Sequence, residues 1–326
     1  MATYKGIQGY SVQNLSEDPT AANAKGQLWY NSGTGKFKIG VGAAGAWAAG
    51  GNMNRNNLYG SGSFGTQTAG VAATGYPTAV PLALLCEEYN GSAWTEVNDV
   101  NTGRYQPGGA GTATAGIIFA GAADPGASLQ VTETYNGTSW TEVADLNVAR
   151  HQNAAATQGT TTASLCISGT PPVMTTMESW NGTSWTEATA VNVARYGAGG
   201  AGTSTAALFV TGKSPSIVTS TESWNGSTWT EVNDVNNGRG QVGECGSSTA
   251  SLLFSGNPVP GVGNKTESWD GTSWTEVADM GTAVYGTTDI GTSTLALAGA
   301  GGPAAPAGET QEWNAAPVTA KTVTVS

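Results

Sequence analysis

The sequence predicts an all-β protein, a closed β-propeller of six four-stranded blades. Three observations predict it. A Trp-Thr-Glu phrase recurs along the 326 residues, its tryptophans and the Trp of a worn copy before them fall 44 to 47 residues apart, and Asn-Gly pairs separate short strand-like runs. A period near 45 residues suits one blade of four short strands.

The clearest copy is TSWTEVADLNVAR at 138–150, with relatives at 92–104, 183–195, 227–239 and 272–284 and a worn one at 45–55. The anchoring residues are Trp47, Trp94, Trp140, Trp185, Trp229 and Trp274. Within a period the order is a small-residue strand, an apolar strand, a Glu-x-aromatic strand, an Asn-Gly turn and the Trp strand. After Arg195 the first two read YGAGGAGTSTAALFVTGK. Blades crowd near an axis, where Gly, Ala and Ser fit, and spread at the rim, where Trp fills the gap. The Asn-Gly pairs at 90–91, 136–137, 181–182 and 225–226, with Asp270-Gly271, predict two-residue hairpin turns with positive φ at both positions.

These repeats resemble the kelch family, and the chain reads as a kelch-like β-propeller over roughly residues 45–318. The resemblance rests on an Arg opening each blade (Arg55, Arg104, Arg150, Arg195, Arg239). It rests equally on a Glu two places before the blade aromatic: Glu87/Tyr89, Glu133/Tyr135, Glu178/Trp180, Glu222/Trp224 and Glu267/Trp269. It departs in having a single Gly after the apolar strand (Gly169, Gly212, Gly256) and in the last repeat, which lacks its Arg and carries Gln311 for Glu. Arg104, Arg150, Arg195 and Arg239 are expected to tie loops of adjacent blades to these glutamates, since a guanidinium offers five donors in a fixed fork. Six periods leave two candidates for the closing rim strand, the Trp47 strand or VTAKTVTV at 318–325. Seven blades would need LWYNSGTGKFKI to contribute.

Residues 1–44 fall off the repeat period, so the expected division is an N-terminal attachment segment, 1–44, and a propeller, 45–326. GQLWYNSGTGKFKIG at 26–40 reads as a hairpin. It is similar to an element near the start of many bacteriophage structural and tail-fibre proteins, and the whole array resembles kelch-like virion proteins of marine phages. What the resemblance implies is a virion structural protein: a tail fibre, spike or head-surface module that meets a host or neighbouring subunits. It would be docked onto other virion proteins in several copies through Trp29, Tyr30 and Phe37. The alternative is a cellular propeller that binds carbohydrate or protein. No basic stretch followed by an apolar one opens the chain, so no secretory signal is visible, and the expected location is the virion, after synthesis in the host cytoplasm.

Composition excludes several chemistries. Charged residues make up 11% and net charge is −11 with no basic cluster, which argues against nucleic acid as a partner. No apolar run reaches the roughly 20 residues that span a bilayer. Three cysteines, Cys86, Cys166 and Cys245, without CxxC spacing read as small buried thiols. His151 is the single histidine, too few for the usual zinc or copper centres. The remaining acids repeat symmetrically, whereas acid–base catalysis uses an unlike pair. No metal, no cofactor and no enzymatic activity are expected.

Overall fold

The computed structural model describes residues 12–19, 27–42, 45–55, 59–76, 84–123, 126–257, 261–302, 308–315 and 318–323. They contain strands and turns and no helix. The chain divides into two compact units, one of residues 46–314 and one of residues 1–45 with 315–326.

The larger unit is a six-bladed propeller, each blade an antiparallel sheet of four strands. Blade one is Gly62–Thr66, Ala69–Ala73, Cys86–Tyr89 and Trp94–Val97. Blade two is Gly108–Thr112, Ala115–Phe119, Thr132–Tyr135 and Trp140–Val143. Blade three is Ala154–Ala155, Ser164–Ile167, Met177–Trp180 and Trp185–Ala188. Blade four is Gly199–Thr203, Ala206–Val210, Thr221–Trp224 and Trp229–Val232. Blade five is Gly243–Ser247, Ala250–Phe254, Thr266–Trp269 and Trp274–Glu276. Blade six takes Thr288–Gly291, Leu295–Gly299 and Thr310–Asn314 from the end of the array and its outermost strand, Ala46–Ala49, from the beginning. The innermost strands touch in sequence order, and the last touches the first.

The Trp47 strand therefore closes the ring. Trp313 pairs with Trp47 across the seam. The other candidate, Val318–Thr322, belongs to the smaller unit, where it pairs with Lys36–Gly42. That unit is one four-stranded sheet in the order Gln13–Leu15, Leu28–Asn31, Lys36–Gly42, Val318–Thr322. LWYN thus forms no seventh blade, and residues 315–326 group with the N-terminal segment rather than with the propeller as expected.

The hydrophobic core lies between blades. One cluster joins Leu165, Ile167 and Met177 of blade three to Phe209, Trp224 and Trp229 of blade four. Another joins Ile117 and Phe119 of blade two to Cys166, Trp180 and Trp185 of blade three. Near the axis only small residues fit: a Cβ on Gly109 would come within 2.6 Å of the Ser63 carbonyl oxygen. At the hairpins one expectation changes. Gly91 and its equivalents take positive φ, at 90° in Gly91, but the Asn before them does not. The Asn90 side chain instead accepts hydrogen bonds from the Ser92 and Ala93 amides at 3.0 and 2.9 Å. The turn is a four-residue loop organised by an Asx side chain, and Asn136, Asn181, Asn225 and Asp270 repeat it.

Candidate functional site

The loops that enter the blades carry the repeat-specific side chains. Arg104, Arg150, Arg195 and Arg239 are fully buried and pair with Glu133, Glu178, Glu222 and Glu267 at 2.7, 2.7, 3.2 and 3.0 Å. Arg55 pairs likewise with Glu87 at 3.0 Å. Burial lowers the pKa of Arg104 and Arg239, and that of Arg195 to about 10, while the facing glutamate opposes the shift. Each carboxylate also gathers the incoming loop; Glu133 accepts the Asn101 and Thr102 amides at 2.8 and 3.1 Å. In blade six Gln311 accepts the Gly281 amide at 2.7 Å instead.

Trp94, Trp140, Trp185, Trp229 and Trp274 open the outermost strands of blades one to five and are buried. Trp47 lies half-buried in the outermost strand of blade six. Several indole N–H groups reach into the preceding blade. Trp185 donates to Thr132 at 2.9 Å, Trp274 to Thr221 at 3.2 Å and Trp47 to Thr266 at 2.9 Å. Both residue sets thus serve cohesion, one under the loops and one at the rim.

The smaller unit has two unlike faces. Trp29 is buried, and Asp18 accepts hydrogen bonds from the Trp29 indole at 3.1 Å, Asn31 at 2.5 Å and Lys38 at 2.6 Å. The Lys38 bond leads in holding the Asp18 carboxyl below its ordinary pKa. Tyr30 and Phe37 lie opposite one another on the neighbouring strands, their rings 5.1 Å apart. Phe37 and Ile39 remain exposed at 42% and 37%. Of the three side chains expected to dock, Trp29 is committed within its own sheet, and Tyr30 and Phe37 face the other way.

A site that the repeats do not announce lies on the propeller axis. Gly60, Gln106, Gln152, Gly197, Gln241 and Gly286 occupy one equivalent position per blade, and all six are left-handed, with φ between 53° and 64°. Their amides form a closed circle. Gln106 donates to Gly60 at 2.6 Å, Gln152 to Gln106 at 3.1 Å and Gly197 to Gln152 at 2.9 Å. Gln241 then donates to Gly197 at 2.6 Å, Gly286 to Gln241 at 2.7 Å and Gly60 to Gly286 at 2.8 Å. The circle rims an axial cavity of about 100 Å³, lined among others by Ser63, Asn153, Thr157, Thr287 and Asp289. Asn153 Oδ1 and Thr157 Oγ1 are buried there without a hydrogen-bond partner among the described residues. The residue before each rim position is Tyr59, Tyr105, His151, Tyr196, Gly240 or Tyr285. Tyr285, Tyr59, Tyr76, Tyr105 and His151 form a continuous arc, with successive ring centroids 6.2, 5.4, 5.3 and 6.4 Å apart. His151 faces Ser128 Oγ at 2.9 Å through Nδ1, and burial lowers its pKa.

Symmetry breaks deeper in the channel. Ser63, Gly109, Ala155, Gly200, Glu244 and Asp289 share one level of the innermost strands, so two acids replace small residues in adjacent blades. Asp289 accepts hydrogen bonds from Ser63 Oγ at 3.0 Å and the Glu244 amide at 3.3 Å. Glu244 Oε1 accepts from Ser251 at 2.7 Å, and Oε2 is buried without a partner among the described residues. Burial pushes Glu244 up to about 8 and Asp289 up to about 7. The folded protein therefore holds protons that the unfolded chain releases above its ordinary carboxylate range. Stability from this pair is full at about pH 4 and lost as pH rises through 7 and 8. The melting temperature is expected to fall across that window, and Glu244→Gln should flatten the slope; an unchanged slope would place the linked groups elsewhere. The symmetric acids weighed from sequence omitted this pair. Its only signal is an acidic letter inside a Gly/Ala/Ser strand, GECGS and TDIG.

No protein-family model and no curated protein matches the sequence. Many solved structures share the fold. One is the structure of YjhT, a bacterial β-propeller, at 10% identity and a TM-score of 0.64, covering 81% of this chain and 96% of that one. At that identity the likeness shows the propeller alone. One expectation is corrected nonetheless: the reading of this chain as a non-enzyme, drawn from its single histidine and its symmetrically repeated acids, does not stand beside a propeller neighbour that is an enzyme.

Proposed function

We propose that this chain is a bacteriophage virion protein whose propeller makes contact with a host or a neighbouring subunit and whose smaller unit docks onto other virion proteins. One observation carries the reading. Strand Ala46–Ala49 closes the ring, so the sheet built from Gln13–Leu15, Leu28–Asn31, Lys36–Gly42 and Val318–Thr322 is surplus to propeller closure. A small sheet whose face carries exposed Phe37 and Ile39 beside a half-buried Tyr30 suits burial against a partner, because amphipathic and aromatic side chains dominate interface energetics. The similarity of residues 26–40 and of the repeats to phage structural proteins supports a particle as that partner, with the protein made in the host cytoplasm and present in several copies.

The test is Phe37→Asp combined with Ile39→Asp. The propeller should keep its melting temperature while incorporation into particles, followed by co-sedimentation, is lost. Normal incorporation of the folded variant would overturn the docking role.

A second reading, catalysis at the axial mouth, is favoured by Asp289, which lines the cavity with its pKa pushed up to about 7, where one group both gives and takes a proton near neutrality. Asp289→Asn would abolish such turnover and leave particle incorporation intact.

A further inference from the structure

We infer that the axial mouth is a binding site for a neutral sugar, such as the end of a host-surface glycan. The inference deepens the host-contact reading given above and rests on it for its biological setting. Three independent features of the mouth carry it.

The first is backbone cost. Left-handed φ suits Gly, which fills three of the six rim positions, yet Gln106, Gln152 and Gln241 adopt it with φ of 55°, 53° and 53°. A side chain there costs conformational energy that Gly avoids. The Gly60, Gly197 and Gly286 positions show that the hydrogen-bond circle needs no side chain. The glutamines line the cavity, and an amide presents both donors and an acceptor. Gln241 Oε1 is already engaged by Asn257 at 3.3 Å, which leaves Gln106 and Gln152 as the pair nearest the aromatic arc.

The second is the arc itself. Tyr285, Tyr59, Tyr76, Tyr105 and His151 are all half-buried, so each keeps part of its ring at the surface beside the rim. Flat aromatic surface next to amide groups suits a ligand with one apolar face and a hydroxyl-bearing edge. A sugar ring has that shape.

The third is the lining. Asn153 Oδ1 and Thr157 Oγ1 have no partner among the described residues, and unsatisfied buried acceptors gain most from a ligand that brings donors. Hydroxyl groups bring them. Asp289, which lines the same cavity, and the chain's net charge of −11 disfavour an anion, so an acidic sugar is the poorer fit.

Saturation-transfer NMR on the full chain tests this, with galactose, glucose, mannose and N-acetylglucosamine as probes and N-acetylneuraminic acid as the acidic control. At least one neutral sugar should show transfer. Gln152→Gly should weaken its affinity by roughly tenfold or more while keeping or raising the melting temperature, a combination a purely structural glutamine would not give. Tyr76→Phe should keep binding and Tyr76→Ala reduce it. No transfer from any neutral sugar, stronger transfer from the acidic one, or binding untouched by Gln152→Gly would overturn the site. The Phe37→Asp, Ile39→Asp variant separates the two readings: it should lose incorporation yet bind sugar like the unaltered chain, so normal incorporation with intact sugar binding would overturn the docking role alone, and lost incorporation with no neutral sugar bound by the unaltered chain would overturn the sugar site alone.

Discussion

Replacing Glu178 with Ala is expected to lower stability by about 3–5 kcal/mol, the usual cost of leaving one partner of a buried ion pair alone. Glu178 Oε1 accepts from Arg150 at 2.7 Å and from the Val148 amide at 3.2 Å, and Oε2 accepts from the Asn147 amide and side chain at 2.8 and 2.7 Å. The truncation strands a guanidinium with no exposure and two loop amides together. Blade six offers an internal comparison. It has no Arg at this place, and its neutral Gln311 still holds the loop through the Gly281 amide. Arg150→Met with Glu178→Gln should therefore cost less than Glu178→Ala by itself, because no buried charge is left unpaired. Urea unfolding of the three proteins decides it. A loss under about 1 kcal/mol for Glu178→Ala, the size of an exposed pair, would mean that the loops are held by other bonds.

The second large effect belongs to Trp185→Ala, expected to cost about 3–5 kcal/mol from lost burial and the cavity left behind. Trp185 is 5% exposed, meets Phe119 of the preceding blade edge-on at 4.9 Å and lies 5.4 Å from Trp180. Its N–H bond to Thr132 also crosses between blades. Trp185→Phe should recover most of the packing and lose only that bond, about 1 kcal/mol. If denaturant unfolding gave the two variants equal losses, the bond rather than the ring would be what the rim needs.

Much of this architecture is legible in the sequence because it is written six times. The Trp spacing, the Arg and Glu positions and the order of small, apolar, aromatic and Trp strands all describe local environments that recur, and recurrence separates them from background. What is not repeated is not legible. Both the Trp47 strand and Val318–Thr322 read as strands, and strand propensity carries no information about which distant edge each will join. The turn residues Asn90 and its equivalents mark hairpins correctly, yet a four-residue Asx loop and a two-residue turn share the same Asn-Gly letters. The axial site is the extreme case. Glu244 and Asp289 are single departures within a small-residue strand, and nothing local marks Gln152 as left-handed. Their meaning comes from five neighbouring blades that place them around one axis. The residues on which the proposed function rests lie further still from the repeats, in the rim side chains and the small sheet, where the copies differ.

The seam has a kinetic consequence. Strand Ala46–Ala49 and strand Thr310–Asn314 are partners in blade six, and their chain continuations, Lys36–Gly42 and Val318–Thr322, are partners in the smaller sheet. Residues 43–45 on one side and 315–317 on the other separate the two ladders. If thermal motion peels the Trp47 strand away, the ladder of the smaller sheet still holds its ends together, so re-pairing closes a very short loop rather than one of the whole ring's length. The entropy of closure grows with loop size, and the tethered edge thus meets its partner at a high effective concentration. The smaller sheet acts, through chain connectivity alone, as a clasp that shortens the lifetime of every opening at the one place where the ring is not covalently continuous.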